Sequence, residues 1–335
     1  MILTYIKRQK IQLRSHLEIC LTVLIFIAGI ALLCWTQNVW IRLLGACVML
    51  VSQIRMMFIS HDIGHRILFN NDNYNRLWSI LIGGISGSPI ECKSRGHHFH
   101  HLYNGNLVAY NGPLLIISKQ EFNLLSDRQK LTYRATRHWS VLWFTSLMRY
   151  ALIPQLRLLK GWIETKKREG HNILVLELLN QSRILKQSRR EMIDTLGATA
   201  IWIIILVMSY YLNIIEWYII NLVISFCLTD ILFHAQHNFS DSYASMGTIW
   251  EYEKAIEYGT CNFKFNRVGH WITANIGMHQ AHHKIPNVPF FKLNSIDKKL
   301  RHEKYYKAIT TNQILDSRYY LLWDAAKMKH CRCID

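Results

Sequence analysis

Four apolar runs, at residues 17–36, 39–60, 195–212 and 216–233, constrain this chain more than any other feature of it. Each is close to the roughly 20 residues that a helix needs to cross the hydrocarbon of a bilayer. Only a helix or a closed barrel satisfies its own peptide groups there, and runs of this length without period-2 alternation predict helices. The runs come in two pairs separated by short polar turns, Thr36-Gln37-Asn38 and the stretch around Asn213. Two helical hairpins follow, and in each the chain returns to the side from which it entered.

Charge sets the expected sidedness. Residues 1–16 carry Lys7, Arg8, Lys10 and Arg14 and no acid. Basic flanks stay in the cytoplasm, so the loops between hairpins are expected there. A signal peptide has a shorter apolar core and a small-residue cleavage site, so the first run reads as a retained helix. The chain holds 39 Lys+Arg against 22 Asp+Glu. Because these basic residues lie between apolar runs, they point to membrane lipid head groups and not to nucleic acid. Arg42 and Arg55, near the two ends of the second run, are expected to snorkel to the interfaces.

Between the hairpins, 77–90 is apolar but too short to span, and predicts a re-entrant or interfacial segment. Trp139–Leu159 is broken by Arg149, Pro154 and Arg157 and is expected at the membrane surface. Lys160–Arg190 is densely charged and predicts a cytoplasmic amphipathic helix or pair of helices. The cysteines show no CxxC pair and no disulfide framework. The fold class is therefore all-α and polytopic: one domain over 1–335, with a cytoplasmic cap expected from 61–194 and 234–335.

Histidines carry the chemistry. The chain has 17, and those that cluster are His61 and His65; His97, His100 and His101; His237; and His279, His282 and His283. The spacings i, i+4 and i, i+3, i+4 place imidazoles on one helical face, within reach of a single ion. Nine ring nitrogens exceed what one four- to six-coordinate ion accepts, so two ions are implied. The topology puts every cluster on the same side of the membrane. The nearby carboxylates are few: Asp62, Glu91, Asp230 and Asp241. His98, His234 and His270 read as structural or supporting residues, and the remaining histidines as ordinary ones. A metal transporter would want ligands along a path across the bilayer, which this one-sided arrangement does not offer.

The order HDxxH, HxxHH, HxxHH around membrane hairpins resembles the membrane-bound fatty acid desaturases, closest to their bacterial acyl-lipid branch. The carriers of that resemblance are His61-Asp-Ile-Gly-His65, His97-His-Phe-His100-His101-Leu-Tyr-Asn-Gly-Asn106-Leu, Phe233-His234-Ala-Gln-His237-Asn-Phe239 and Asn275-Ile-Gly-Met-His279-Gln-Ala-His282-His283-Lys-Ile-Pro286. It extends from about Ser60 to Pro289. Arg66, where the family usually has a small residue, and the long charged stretch 165–190 depart from it.

The resemblance implies two Fe ions held by the nine histidines, with O2 as co-substrate and abstraction of two hydrogens from neighbouring methylenes of an acyl chain. It implies an acyl lipid, acyl-CoA or acyl-carrier substrate and an external electron donor such as ferredoxin or cytochrome b5. Asp62, Asn106, Asn275 and His234 are expected to support the ligands from behind. A bacterial inner membrane is the expected location, with the endoplasmic reticulum as the alternative. A hydroxylase or ketolase acting on a lipid or carotenoid with the same metal pair is the competing outcome.

Overall fold

The computed structural model describes residues 2–109, 116–162, 189–245 and 247–332. Its first hairpin is α1 (Ile2–Trp35) and α2 (Val39–Gly64). Asn38 starts α2 by accepting from the backbone N–H groups of Trp40 and Ile41 at 3.0 and 3.4 Å. The two helices cross where Gly29 meets Gly45. A Cβ on Gly29 would lie 2.7 Å from that of Met49, so only glycine lets the backbones approach this closely.

Four further helices follow: α3 (Asp72–Ile85), α4 (Glu91–Tyr103), α5 (Lys119–Leu124) and α6 (Asp127–Ala135). The last two are short and start at capping boxes, Ser118 with Glu121 and Ser126 with Gln129. From Trp139 the chain runs through a 3-10 turn, α7 (Leu142–Leu147), a π turn (Met148–Leu152) and α8 (Ile153–Trp162). The wide turn precedes Pro154, whose ring leaves the carbonyl of residue 150 without its usual donor. Trp143, Phe144, Leu152 and Leu156 are exposed, giving this run an apolar outer face. Arg149 falls within the π turn, where its charge is met by Asp230 at 2.6 Å.

The second hairpin is α9 (Arg189–Tyr211) and α10 (Ile215–His237), with Asn213 in a left-handed turn between them (φ 54°). Arg42 reaches from the first hairpin's turn to donate to the Asn213 carbonyl at 2.8 Å. The two turns therefore lie together, and the opposite helix ends converge. Exposed Trp35, Trp40, Tyr210 and Tyr211 surround the turns, as at a membrane–water boundary.

The four expected spans are present, and the helices outrun the apolar stretches. Helices long and apolar enough to cross a membrane cover Arg8–Trp35, Val39–Gly64, Arg189–Tyr211 and Ile215–His237. Nothing between 8 and 16 breaks a helix, and α2 runs on until Arg66 turns left-handed (φ 58°). The extension matters for the site, since it puts His61 and His237 on the last turns of α2 and α10. Of the 77–90 segment, 77–85 belong to α3, which falls short of a span and packs on α9 through Gly84 against Ile201. Arg55 corrects its expectation: it is 1% exposed and paired with Glu18 of α1, where an acid was available inside the fold to meet it. The amphipathic helices expected over 160–190 lie almost wholly outside the described residues.

After α10 come short elements: α11 (Tyr252–Tyr258), α12 (Arg267–Ile272), α13 (His279–Lys284), α14 (Leu293–Leu300) and α15 (Thr311–Asp316). Among the described residues of this mostly helical chain are five strands of two to five residues: β1 (Ile117–Ser118), β2 (Asn262–Phe263), β3 (Ala308–Ile309), β4 (Tyr320–Asp324) and β5 (Lys329–Arg332). β4 pairs parallel with β1 and antiparallel with β5, while β2 pairs parallel with β3. Strands this short leave no period-2 signal to read.

Candidate metal centre

Four helices, α2, α4, α10 and α13, deliver eight of the clustered histidines to one place, and the ninth, His65, caps the end of α2. The ring nitrogens form two groups, within each of which they lie no more than 4.8 Å apart. One group is His61, His65, His97, His101 and His282; the other is His100, His237, His279 and His283. The groups touch, with the His101 and His283 rings stacked 4.2 Å apart.

The split cuts across the HxxHH triplets. At about 100° per residue, positions i and i+4 lie about 40° apart around a helix, while i+3 and i+4 lie about 100° apart. On α4 the pair His97 and His101 faces the first group and His100 the second. On α13 the assignment is reversed: His279 and His283 face the second group and His282 the first. Each triplet thus bridges both groups, and neither group is complete without both helices.

Within the groups the nitrogens point at one another. His97 Nε2 and His101 Nε2 are 3.1 Å apart, and His101 Nε2 and His282 Nε2 are 3.0 Å apart. In the second group, His237 Nε2 lies 3.1 Å from His100 Nε2 and 3.0 Å from His279 Nε2. Nε2 of His61, His65 and His283 is buried with no hydrogen-bond partner. Buried polar atoms without partners are costly, and a bound cation would offset that cost. Burial, and after it the neighbouring imidazoles, holds His97, His100, His101, His279, His282 and His283 well below the ordinary histidine pKa; His65 is lowered to about 3. Neutral, inward-facing imidazoles are the protonation state that a metal requires. The donor set fits two cations.

The family model described as fatty acid desaturase matches residues 38–314, a range that holds all nine histidines. The chain belongs to the fatty acid desaturase family. It is thus an oxidoreductase and a membrane protein. It is 28% identical to a fatty acid desaturase of Bacillus subtilis over 81% of this chain and 71% of that protein. More distant are a Delta(8)-fatty-acid desaturase of Helianthus annuus, 22% identical over 83% of this chain, and an acyl-lipid (9-3)-desaturase of Physcomitrium patens, 21% identical over 84%. The chain spans 60% and 51% of the length of these two plant proteins.

In this desaturase family member the other residues singled out from sequence take distinct positions. Asp62 Oδ1 accepts from His61 Nδ1 at 3.2 Å, and its Oδ2 accepts from the Phe290 amide at 2.7 Å. His234 donates from Nε2 to the Ser317 carbonyl at 2.9 Å, while its Nδ1 accepts from Asn238 at 3.1 Å, so both ring nitrogens are committed. Asn106 accepts from the backbone of Val108 and Ala109, and Asn275 donates to the Phe290 carbonyl at 3.0 Å. Of the other carboxylates, Glu91 meets Arg66, Asp230 meets Arg149, and Asp241 meets Lys307. Those charges are answered by cations, which accounts for donor groups made of imidazole alone.

Sequence reasoning passed over two supporting glutamines. Gln280, between His279 and His282, donates from its side chain to the carbonyls of Glu257 and Tyr305, both at 3.0 Å. Its Oε1 accepts from the Lys307 amide at 2.9 Å. Gln236 donates to the Ile276 carbonyl at 2.8 Å. Each lies beside a clustered histidine in sequence, but glutamine has no spacing rule that would have marked it.

Proposed function

We propose that the chain is an O2-dependent fatty acyl desaturase acting on a lipid-linked acyl chain, with two iron ions held by His61, His65, His97, His101 and His282 and by His100, His237, His279 and His283. The observation that supports this best is the pair of adjoining, carboxylate-free groups of neutral imidazoles inside a fatty acid desaturase chain. Ring-nitrogen separations of 3.0–3.1 Å within the groups place these imidazoles close enough to share an ion, and imidazole is a ligand that suits iron.

When bound, the metal pair supplies the oxidising power that removing hydrogen from an unactivated methylene demands, chemistry beyond any side chain. The balance is simple: –CH2–CH2– becomes –CH=CH–, and O2 takes up the two hydrogens, two electrons from an external donor and two protons, leaving as two waters. The protein's own part is positional. Asp62 fixes the His61 ring by accepting from Nδ1, so that Nε2 faces the centre. The buried apolar side chains of α2 and α10 just inside the ligands, Phe58 and Ile231 among them, hold the acyl chain and exclude water. How deep the chain enters selects the carbons.

The converging helix ends lie on the cytoplasmic face of a bacterial inner membrane in this reading, with 61–194 and 234–335 forming the cap over the metals. Basic surface there receives the electron donor and anionic head groups. The test is expression in a host without polyunsaturated lipids, with gas chromatography–mass spectrometry of derivatised fatty acids. New double bonds in the wild type, absent with His283→Ala, are expected. Hydroxylated chains in their place would mark the hydroxylase outcome, and full unsaturation with His283→Ala would sink the assignment.

A further inference from the structure

Helix α1 supplies no histidine to either group, yet one stripe of it faces the loop that carries the third box. Arg14, Glu18 and Thr22 recur at i, i+4 and i+8. Glu18 Oε2 accepts from Arg55 Nη2 at 2.6 Å, and Thr22 Oγ1 accepts from Arg55 Nε at 3.1 Å. The Arg14 guanidinium lies 4.6 Å from the centre of the Phe291 ring. Held in this way, Arg55 donates through Nη1 to the Trp271 carbonyl. Its guanidinium also lies 4.3 Å from the Trp271 ring centre and 5.5 Å from that of Phe290.

Two turns along α2 from Arg55, Asp62 accepts from the Phe290 amide. Trp271 and Phe290 are the two ends of the segment that bears His279, His282 and His283. Both ends are therefore tied to α2, and Asn275 closes the loop by donating to the Phe290 carbonyl. Inside the loop, Ala274 and Asn275 are both left-handed, at φ 45° and 56°. For alanine that conformation costs about 1–2 kcal/mol, which contacts from the surrounding fold must offset. Metal ligands need placing to within about 0.5 Å.

We propose that Arg55, fixed by Glu18 and Thr22, is a positioning residue for the third histidine box, so that helix α1 governs the placement of His279, His282 and His283 against the ligands of α2 and α4. The proposal rests on the reading of the nine histidines as a two-metal cage. A plain ion pair between α1 and α2 is the competing account, and the two differ in what happens when both charges go. Removing one member of a buried pair leaves an uncompensated charge, whereas removing both is often neutral. A merely structural pair is therefore rescued in Glu18→Leu/Arg55→Met, and a positioning arginine is not.

The experiment uses the full chain in nanodiscs, loaded with Fe(II). It reads iron per chain and, in metal-free protein, amide hydrogen exchange over 271–290. Arg55→Met and Glu18→Leu/Arg55→Met are both expected to lose about half or more of the bound iron. Exchange over 271–290 should be about tenfold faster or more in both. Should the double variant fail to insert, Arg55→Lys carries the test. Lysine keeps the charge opposite Glu18 but is a point donor that cannot serve Glu18, Thr22 and the Trp271 carbonyl together, so iron and protection fall. Wild-type iron and protection in the double variant, or in Arg55→Lys, would overturn the proposal. A wild type that binds no iron breaks the metal reading instead, and the exchange data on metal-free protein still decide the role of Arg55.

Discussion

At the residue scale, the two groups of histidines make separable predictions for neighbours in sequence. His282 belongs to the first group and His283 to the second. Alanine at either position is expected to abolish desaturation while lowering bound iron by about one ion per chain and not two. Metal analysis of purified variants checks this, and loss of both ions from each single variant would show that the groups bind as one unit. Asp62→Asn keeps the shape but puts an NH2 donor in place of one of the two accepting oxygens, so either His61 Nδ1 or the Phe290 amide loses its acceptor. Iron affinity should fall about 10–100-fold, as read by competition with a chromogenic chelator.

At the element scale, the HxxHH spacing does its work because α4 and α13 carry the same triplet and present it to the two groups in opposite senses. That reversal needs α13 to start at His279, after a turn in which two successive residues are left-handed. The spacing was legible in the sequence; the start was not, since Ala274 gives no hint of positive φ. The seat of α3 on α9 is similarly tight. A Cβ on Gly84 would lie 2.6 Å from the Cβ of Ile201. Gly84→Val is therefore expected to cost about 1–3 kcal/mol through overpacking. A lowered midpoint of thermal aggregation in detergent, with the spans still inserted, is the result to look for.

At the scale of the whole molecule, burying so many imidazoles costs stability unless metal binds them. His65 takes up a proton only at about 3 in the fold, against 6.5 as an ordinary histidine. Between those values the unfolded chain binds more protons than the folded one, so folding stability rises with pH across the window and falls as pH drops through it. Metal-free protein should thus melt at lower temperature at pH 5.5 than at pH 7.5. Removing metal at constant pH should also lower the melting temperature, and restored Fe(II) should raise it, by about 2.7 kcal/mol of stability at a hundredfold excess over Kd. Differential scanning fluorimetry in nanodiscs measures both effects. A melting temperature indifferent to chelation would count against metal in the nine-histidine cage.

The sequence by itself determined the two hairpins and the identity of the clustered histidines, because bilayer thickness and helical spacing act on short stretches of chain. Tertiary structure alone decided how nine rings divide into two groups, since the division depends on how α4 and α13 face each other, with His101 and His282 181 positions apart in sequence. It also decided what Arg55 is for. In sequence it is a charge near the end of an apolar run. In the fold it meets Glu18, 37 residues away, and Trp271, 216 away, and no local rule relates residues that far apart.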